Sequence, residues 1–180
     1  MKRPFAFLSV IIVLVFALGC CQDQQTVTEL EKFAATAEVE QQNIELVQWF
    51  IQEVNNQNPE IYMEACAPDY KRYFPSSNPE PLSREEELDF VKGVWTAFPD
   101  MNWVIDDVIA ADDRVVTLLT AKGTHEGDFL GIAPTGNPID VSLILVFRIE
   151  DGKLVESREE ADMLRMMQQL GMELKPAAGG

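Results

Sequence analysis

Apolar positions recur at helical spacing in the first half of this chain and at a spacing of two in the second half. Ile44, Val47, Phe50, Ile51 and Val54 share one helical face, and Asn55-Asn56 supplies a stop. The residues before them, 28–42, are polar with scattered alanines and glutamates, and either extend that helix or form a tether. A short helix is predicted after Pro59, carrying Ile61, Met63 and Cys66 and ended by Pro68. Tyr70 to Phe74 reads as a short strand, and residues 75–82, with their prolines, as loop. Ser83 precedes Glu86 by the spacing of a capping box. It opens a helix whose apolar face is Leu88, Val91, Val94, Trp95 and Phe98, closed by Pro99-Asp100.

Beyond residue 100 the pattern predicts strands at Asn102 to Ala110, Arg114 to Thr124, Ile139 to Ile149 and Leu154 to about Glu160. Asp112-Asp113 and Asp151-Gly152 are turns, the second a hairpin signal, and Gly127, Gly131, Pro134 and Gly136 mark a loop. A last helix from about Ala161 ends near Gly171. Helices followed by a four-stranded antiparallel meander predict an α+β fold, with helices on one face of a curved sheet and room for a pocket between them.

Parity along the strands then says which side chains share a face. Lys122 prefers water, so the odd side of its strand, with Val115, Thr117, Leu119, Ala121 and by extension His125, is the core side. Ile139, Val141, Leu143, Leu145 and Phe147 are the matching odd set of the next strand. In the last strand the odd set is Val155, Ser157 and Glu159. Glu159 is therefore either a sheltered carboxylate able to move protons or part of a solvated acidic rim with Glu156, Glu160 and Asp162. His125, the lone histidine, either fixes its glycine-flanked turn or touches a ligand. Trp95 and Trp103 read as core or pocket wall, together with Leu119, Leu145 and Phe147.

Composition narrows the function. The chain has 180 residues, enough for one domain of ordinary size, and 47% of them are apolar. Its 14 basic and 30 acidic side chains leave a net charge of −16, which repels phosphate backbones and excludes nucleic acid as a partner. Three cysteines and one histidine cannot build a disulfide scaffold, a four-cysteine zinc site or a histidine-rich metal centre. Cys66 is either a buried free thiol or the partner of Cys21.

Lys2 and Arg3 precede an apolar run from Phe5 to Leu18, too short for a spanning helix, which needs roughly 20 residues, but suited to an export signal. The run ends in Ala17-Leu18-Gly19-Cys20, which resembles the bacterial lipoprotein processing box, with Cys20 as the lipidated first residue of the mature chain. Residues 1–19 then form the leader, 20–39 a polar tether, 40–172 the folded domain and 173–180 a frayed tail. On that reading the acyl chains hold the protein at a membrane, in an outer membrane if the host has two, because the acidic surface cannot.

Six segments carry a further likeness. They are Ala97-Phe98-Pro99-Asp100, Asp112-Asp113-Arg114-Val115-Val116, Gly123-Thr124-His125-Glu126-Gly127, Gly131-Ile132-Ala133-Pro134-Thr135-Gly136, Phe147 through Glu156, and Gln168-Gln169-Leu170-Gly171. In this order, over about residues 40–172, the chain resembles the SnoaL-like polyketide cyclases, often called ester cyclases, of the NTF2-like fold. The resemblance implies a cone-shaped α+β barrel with a pocket lined by sheet and helices. It also implies an intramolecular aldol cyclisation without metal or cofactor, in which an aspartate near the end of the last strand moves the proton. The ungapped register from Arg148 to Gly171 puts that aspartate on Glu159 and a second acidic position on Asp162, and the Gly-Thr-His segment puts a histidine on His125. Leu145 stands where some cyclases carry a histidine, Tyr73 and Phe74 where relatives often have one, and Glu156-Ser157-Arg158-Glu159 lacks the usual aromatic. Three functions are consistent with this: a cyclase or isomerase of a small apolar carbonyl compound, an envelope lipoprotein that binds an apolar small molecule, or a module that dimerises through its open sheet face, where Ile144 and Val146 lie on the even side.

Overall fold

The computed structural model describes the backbone of residues 6–75 and 77–173 and, ahead of residue 26, the side chain of Gln24 alone. Residues 1–5, the Cys20 side chain and all of the expected tail except Glu173 lie outside the described residues. The chain divides into two units, Met1–Val39 and Glu40–Gly180. Helix α1 has the bounds Ala6–Asn55, so residues 28–42 are helix, and Asn55 is its last residue as the stop signal predicts. Among the described residues no helix is long and apolar enough to cross a membrane.

In the second unit, α2 (Ile61–Ala65) leads directly into β1 (Cys66–Tyr73). Two expectations are corrected here. The helix stops at Ala65 because Cys66 is already extended, and it buries Tyr62 while leaving Met63 exposed. The strand therefore starts at Cys66 and contains Pro68. A proline has no N–H for the ladder, and the register shifts between Cys66 and Lys71. Leu82, the last residue of the expected loop, forms β2 with Ser83 (Leu82–Ser83), which pairs antiparallel with β1. Ser83 caps α3 (Arg84–Ala97): the Glu86 N–H donates to Ser83 Oγ, and the Ser83 N–H donates to the Glu86 carboxylate at 2.8 Å.

The remaining elements follow the alternation. They are β3 (Asn102–Ala111), β4 (Arg114–Thr124), β5 (Pro138–Glu150), β6 (Lys153–Ala161) and α4 (Met163–Gln169). Asp151 and Gly152 both have positive φ, the conformation a two-residue hairpin requires. The sheet has six strands in the order β2-β1-β6-β5-β4-β3, so the four-stranded meander is only part of it. β1 joins the free edge of β6 in parallel, pairing Arg72 with Ser157. Parallel pairing joins segments far apart in sequence and leaves no local turn signal, which is why the pattern of β1 did not reveal it.

Parity decides burial on β4 and β5. Val115, Thr117, Leu119 and Ala121 face the core with Ile139, Val141, Leu143 and Phe147, while Leu118 and Ile144 are exposed on the other face. β6 departs from it once. Arg148 pairs with Glu156 and Ile149 with Leu154, so Val155 is an extra residue and Leu154, not Val155, enters the core. Past this bulge the odd set returns, and Ser157 and Glu159 face inward. Asn55 does more than end α1: its side chain accepts from the Trp103 N–H at 2.8 Å and donates to the Trp103 carbonyl at 2.9 Å, tying the helix end to edge strand β3. The core they enclose joins Val47, Phe50 and Val54 of α1, Leu88, Val91 and Trp95 of α3, and the inner face of the sheet.

Candidate functional site

Three elements deliver one charged cluster. On β1, Tyr70 and Arg72 share the inward parity, and Arg72 lies beside Ser157 of β6. Glu159 stands two residues beyond Ser157 on the same face. β2 pairs Leu82 with Arg72, so the first turn of α3 starts against β1 and carries Glu87 to the same place. A carboxylate in a first helical turn is also favoured by the helix dipole. Arg72 Nη1 donates to Glu87 Oε2 at 2.7 Å, and Nη2 donates to Glu159 Oε2 at 2.5 Å. The guanidinium lies 4.9 Å from the Phe74 ring centroid and 5.0 Å from that of Phe90, within cation–π range. Arg72, Glu87 and Glu159 are only 4%, 5% and 9% exposed.

Two acids share one base in a poorly hydrated place, which sets the protonation. Burial pushes the Glu87 carboxyl up to about 7; Arg72 opposes this and the Glu159 charge adds to it. Burial pulls the Arg72 guanidinium down, but the charges of Glu159 and then Glu87 outweigh it and hold it above its usual range. Burial, then Glu87, raises the phenols of Tyr62 and Tyr70, and Tyr70 shares a 2.5 Å hydrogen bond with Ser157. Burial and Glu87 likewise push up the thiol of Cys66, which is free and buried and so a poor nucleophile.

The cluster forms one wall of a cavity of about 120 Å³ between the sheet and helices α1 to α4. Trp103, Leu119, Leu145 and Phe147 line it as expected, with Arg72, Glu87 and Glu159. Its lining residues Phe74, Phe90, Trp103, Leu145, Ala161 and Met163 are half-buried, so the cavity is open to solvent. Each carboxylate gives Oε2 to Arg72, and neither Oε1 makes a hydrogen bond among the described residues. The site thus offers an apolar hollow with two carboxyl groups and a cation on one side, an arrangement suited to moving a proton on a bound organic molecule. Among the described residues no group of three or more His, Cys, Asp or Glu is placed to hold a metal ion.

The other expected site residues lie elsewhere. His125 is fully buried but is not among the residues lining the cavity. It stacks on Phe98 at 5.1 Å, its backbone bonds Asn137 and Gly136, and its Nδ1 accepts from the Thr135 N–H at 3.3 Å. That assigns the ring proton to Nε2, which has no partner among the described residues, and makes His125 the hub of its loop. Trp95 is core and does not line the cavity. Asp162 is exposed and caps α4 by accepting from the Arg165 N–H at 2.9 Å. Sequence reasoning missed Arg72 and Glu87. Both carried a signal: Arg72 has the parity of the buried Tyr70, and Glu87 stands four before Val91 and seven before Val94 on the apolar face of its helix.

With this geometry in view, the comparisons are specific. The family model described as SnoaL-like polyketide cyclase matches residues 44–170. The structure of AclR from Streptomyces galilaeus, a candidate hydroxylase, is 26% identical with a TM-score of 0.67, over 73% of this chain and 97% of that one. A candidate SnoaL-like polyketide cyclase from Jannaschia sp. CCS1 is 26% identical with a TM-score of 0.67, over 75% and 95%. IdmH from Streptomyces antibioticus, a candidate polyketide cyclase, is 28% identical with a TM-score of 0.64, over 72% and 99%. No curated protein matches the chain.

Proposed function

This chain belongs to the SnoaL-like polyketide cyclase family, and on that premise we propose that it cyclises or isomerises a small, apolar, uncharged carbonyl compound by carboxylate acid/base chemistry. The observation that carries the reading is the position of Glu159, hydrogen-bonded to Arg72 while lining an apolar cavity. A ligand carbonyl seated against this wall puts its α-carbon next to Glu159 Oε1. The C–H bond breaks, the proton goes to Glu159, and the electron pair becomes the enolate. The Arg72 cation beside it stabilises the developing negative charge in a medium of low dielectric. The enolate carbon then either bonds to a second carbonyl carbon, closing a ring and leaving an alkoxide to be protonated, or takes a proton back at a different carbon. Arg72 is already paired with both carboxyl groups, so it is not free to hold a ligand carboxylate, and the apolar walls favour a neutral molecule. His125 serves this chemistry only by holding the loop that its backbone anchors.

Exchange of ketone α-protons in deuterated water, followed by proton NMR, tests the first step. With a series of cyclic ketones from cyclopentanone to 1-tetralone, the protein accelerates exchange for at least one member, and Glu159→Gln lowers that rate by about 100-fold or more. A Glu159→Gln protein with the full rate contradicts the reading. A ketone that binds without faster exchange would instead support a binding module, which the apolar Leu145 in the cavity wall favours.

The second part of the proposal concerns location. The Ala17-Leu18-Gly19-Cys20 segment supports cleavage before Cys20 and anchoring by lipid on that residue. In a bacterial host fed labelled palmitate, the wild-type chain takes up label and Cys20→Ala takes up none. Equal labelling of the two, or none of the wild type, removes this part without touching the cavity chemistry.

A further inference from the structure

Glu87 has no counterpart in the sequence reading, yet it lines the same cavity as Glu159 and holds the opposite side of the same guanidinium. Its surroundings are almost closed. Arg72, Tyr70 and Cys66 face it from β1, Tyr62 from α2 and Glu159 from β6. Arg72 is the only cation in that set, and it is shared. If both carboxyl groups were ionised, the cluster would hold an unbalanced negative charge in an apolar wall, a costly state. A single proton removes the imbalance. The phenols and the thiol stay protonated because burial raises each of them, so the proton that moves belongs to the two carboxyl groups.

We infer that Glu87 is a second catalytic group of this cavity, the carboxylic acid that gives its proton to the ligand oxygen while Glu159 takes the α-proton. The inference rests on the function proposed above and supplies the donor which that reaction lacks. The balance is complete. The α C–H bond breaks to Glu159 and the carbonyl oxygen takes the proton of Glu87, giving the enol. The enol carbon then either takes a proton back from Glu159 or bonds to a second carbonyl carbon whose oxygen takes the proton held by Glu159, and in both cases the enol O–H proton returns to Glu87. Each turnover restores Glu159 ionised and Glu87 protonated, exchange with solvent at Glu159 replaces the α-proton, and nothing is oxidised or reduced. The raised carboxyl of Glu87 keeps it protonated up to about neutral pH, in agreement with this role.

Two measurements test it. The first is the pH profile of α-proton exchange with the ketone that responds best. The wild-type rate falls as pH rises past about 7, when Glu87 loses its proton. Glu87→Gln, an isostere that cannot give a proton, is at least tenfold slower at pH 6 and shows no such fall, whereas Glu87→Asp keeps the fall. If Glu87→Gln keeps the wild-type rate and profile while Glu159→Gln abolishes exchange, this inference is overturned and the base reading stands. The second needs no turnover. In protein labelled with carbon-13 at the glutamate carboxyl, one buried resonance titrates near neutral pH and moves to lower pH in Glu159→Gln. If every glutamate resonance titrates in the ordinary carboxylate range, Glu87 holds no proton to give and the inference fails independently of any ketone result.

Discussion

Arg72, Glu87 and Glu159 behave as one unit because none of them can be removed alone without unbalancing the other two. Taking away the cation leaves two buried carboxyl groups without their shared partner, a loss in the ~3–5 kcal/mol range of broken buried pairs. The pH dependence of stability follows from Glu87. Its folded carboxyl is raised from the usual value to about 7. The folded chain therefore holds a proton that the unfolded chain releases from about pH 4.5 upward. The contribution is present in full below that pH and is lost as pH rises through about 7, by something of the order of 3 kcal/mol. Urea unfolding of the wild type and Glu87→Gln at pH 5 and pH 8 checks it: the fall in stability between the two is smaller in the variant by about that amount, and equal falls would contradict it. Glu159 was legible because the alternation of a single strand points it inward past Ser157. Glu87 was not, because a glutamate among Glu85 and Glu86 in a first helical turn also reads as dipole complement and solvated face. Only the neighbouring strand explains why this one glutamate is buried.

At the scale of elements, local signals and long-range pairing divide what could be read. The capping box at Ser83, the hairpin turn at Asp151-Gly152 and the inner faces of β4 and β5 are set by residues a few positions apart, and all of them appear in the structure. β1 depends on a partner more than 80 positions away in sequence, Ser157 opposite Arg72, and its pattern is interrupted by Pro68. That pairing determines the site, since it places the guanidinium between α3 and β6. The bulge at Val155 has a similar effect on a smaller scale. It shifts Leu154 into the core and restores the parity that turns Glu159 inward. His125 belongs here as well. The Glu126 and Gly127 N–H groups donate to the Ala97 carbonyl at the end of α3, and a Cβ at Gly127 would lie 2.4 Å from the Thr96 oxygen. The close approach of that loop to α3 requires glycine and leaves the histidine packed on Phe98, as a brace for the helix that carries Glu87.

The whole molecule is strongly acidic, with a net charge of −16. That surface opposes anionic molecules on approach. Membership of the family supplies the architecture, and the Arg72, Glu87 and Glu159 cluster lies on the wall of its cavity. The α+β class, most of the sheet and the cavity's apolar wall of Trp103, Leu119, Leu145 and Phe147 were legible in the sequence, but its charged wall was not, because Arg72 and Glu87 meet Glu159 only once β1 pairs with β6. The most direct measurement is a crystal structure of the protein with a small phenol, a neutral mimic of the enol. The account predicts the phenol ring inside the apolar cavity, with its oxygen within hydrogen-bond distance, about 2.6–3.2 Å, of Glu159 or Glu87. A phenol bound only outside the cavity, or seated in it with its oxygen turned away from both carboxyl groups, would contradict it.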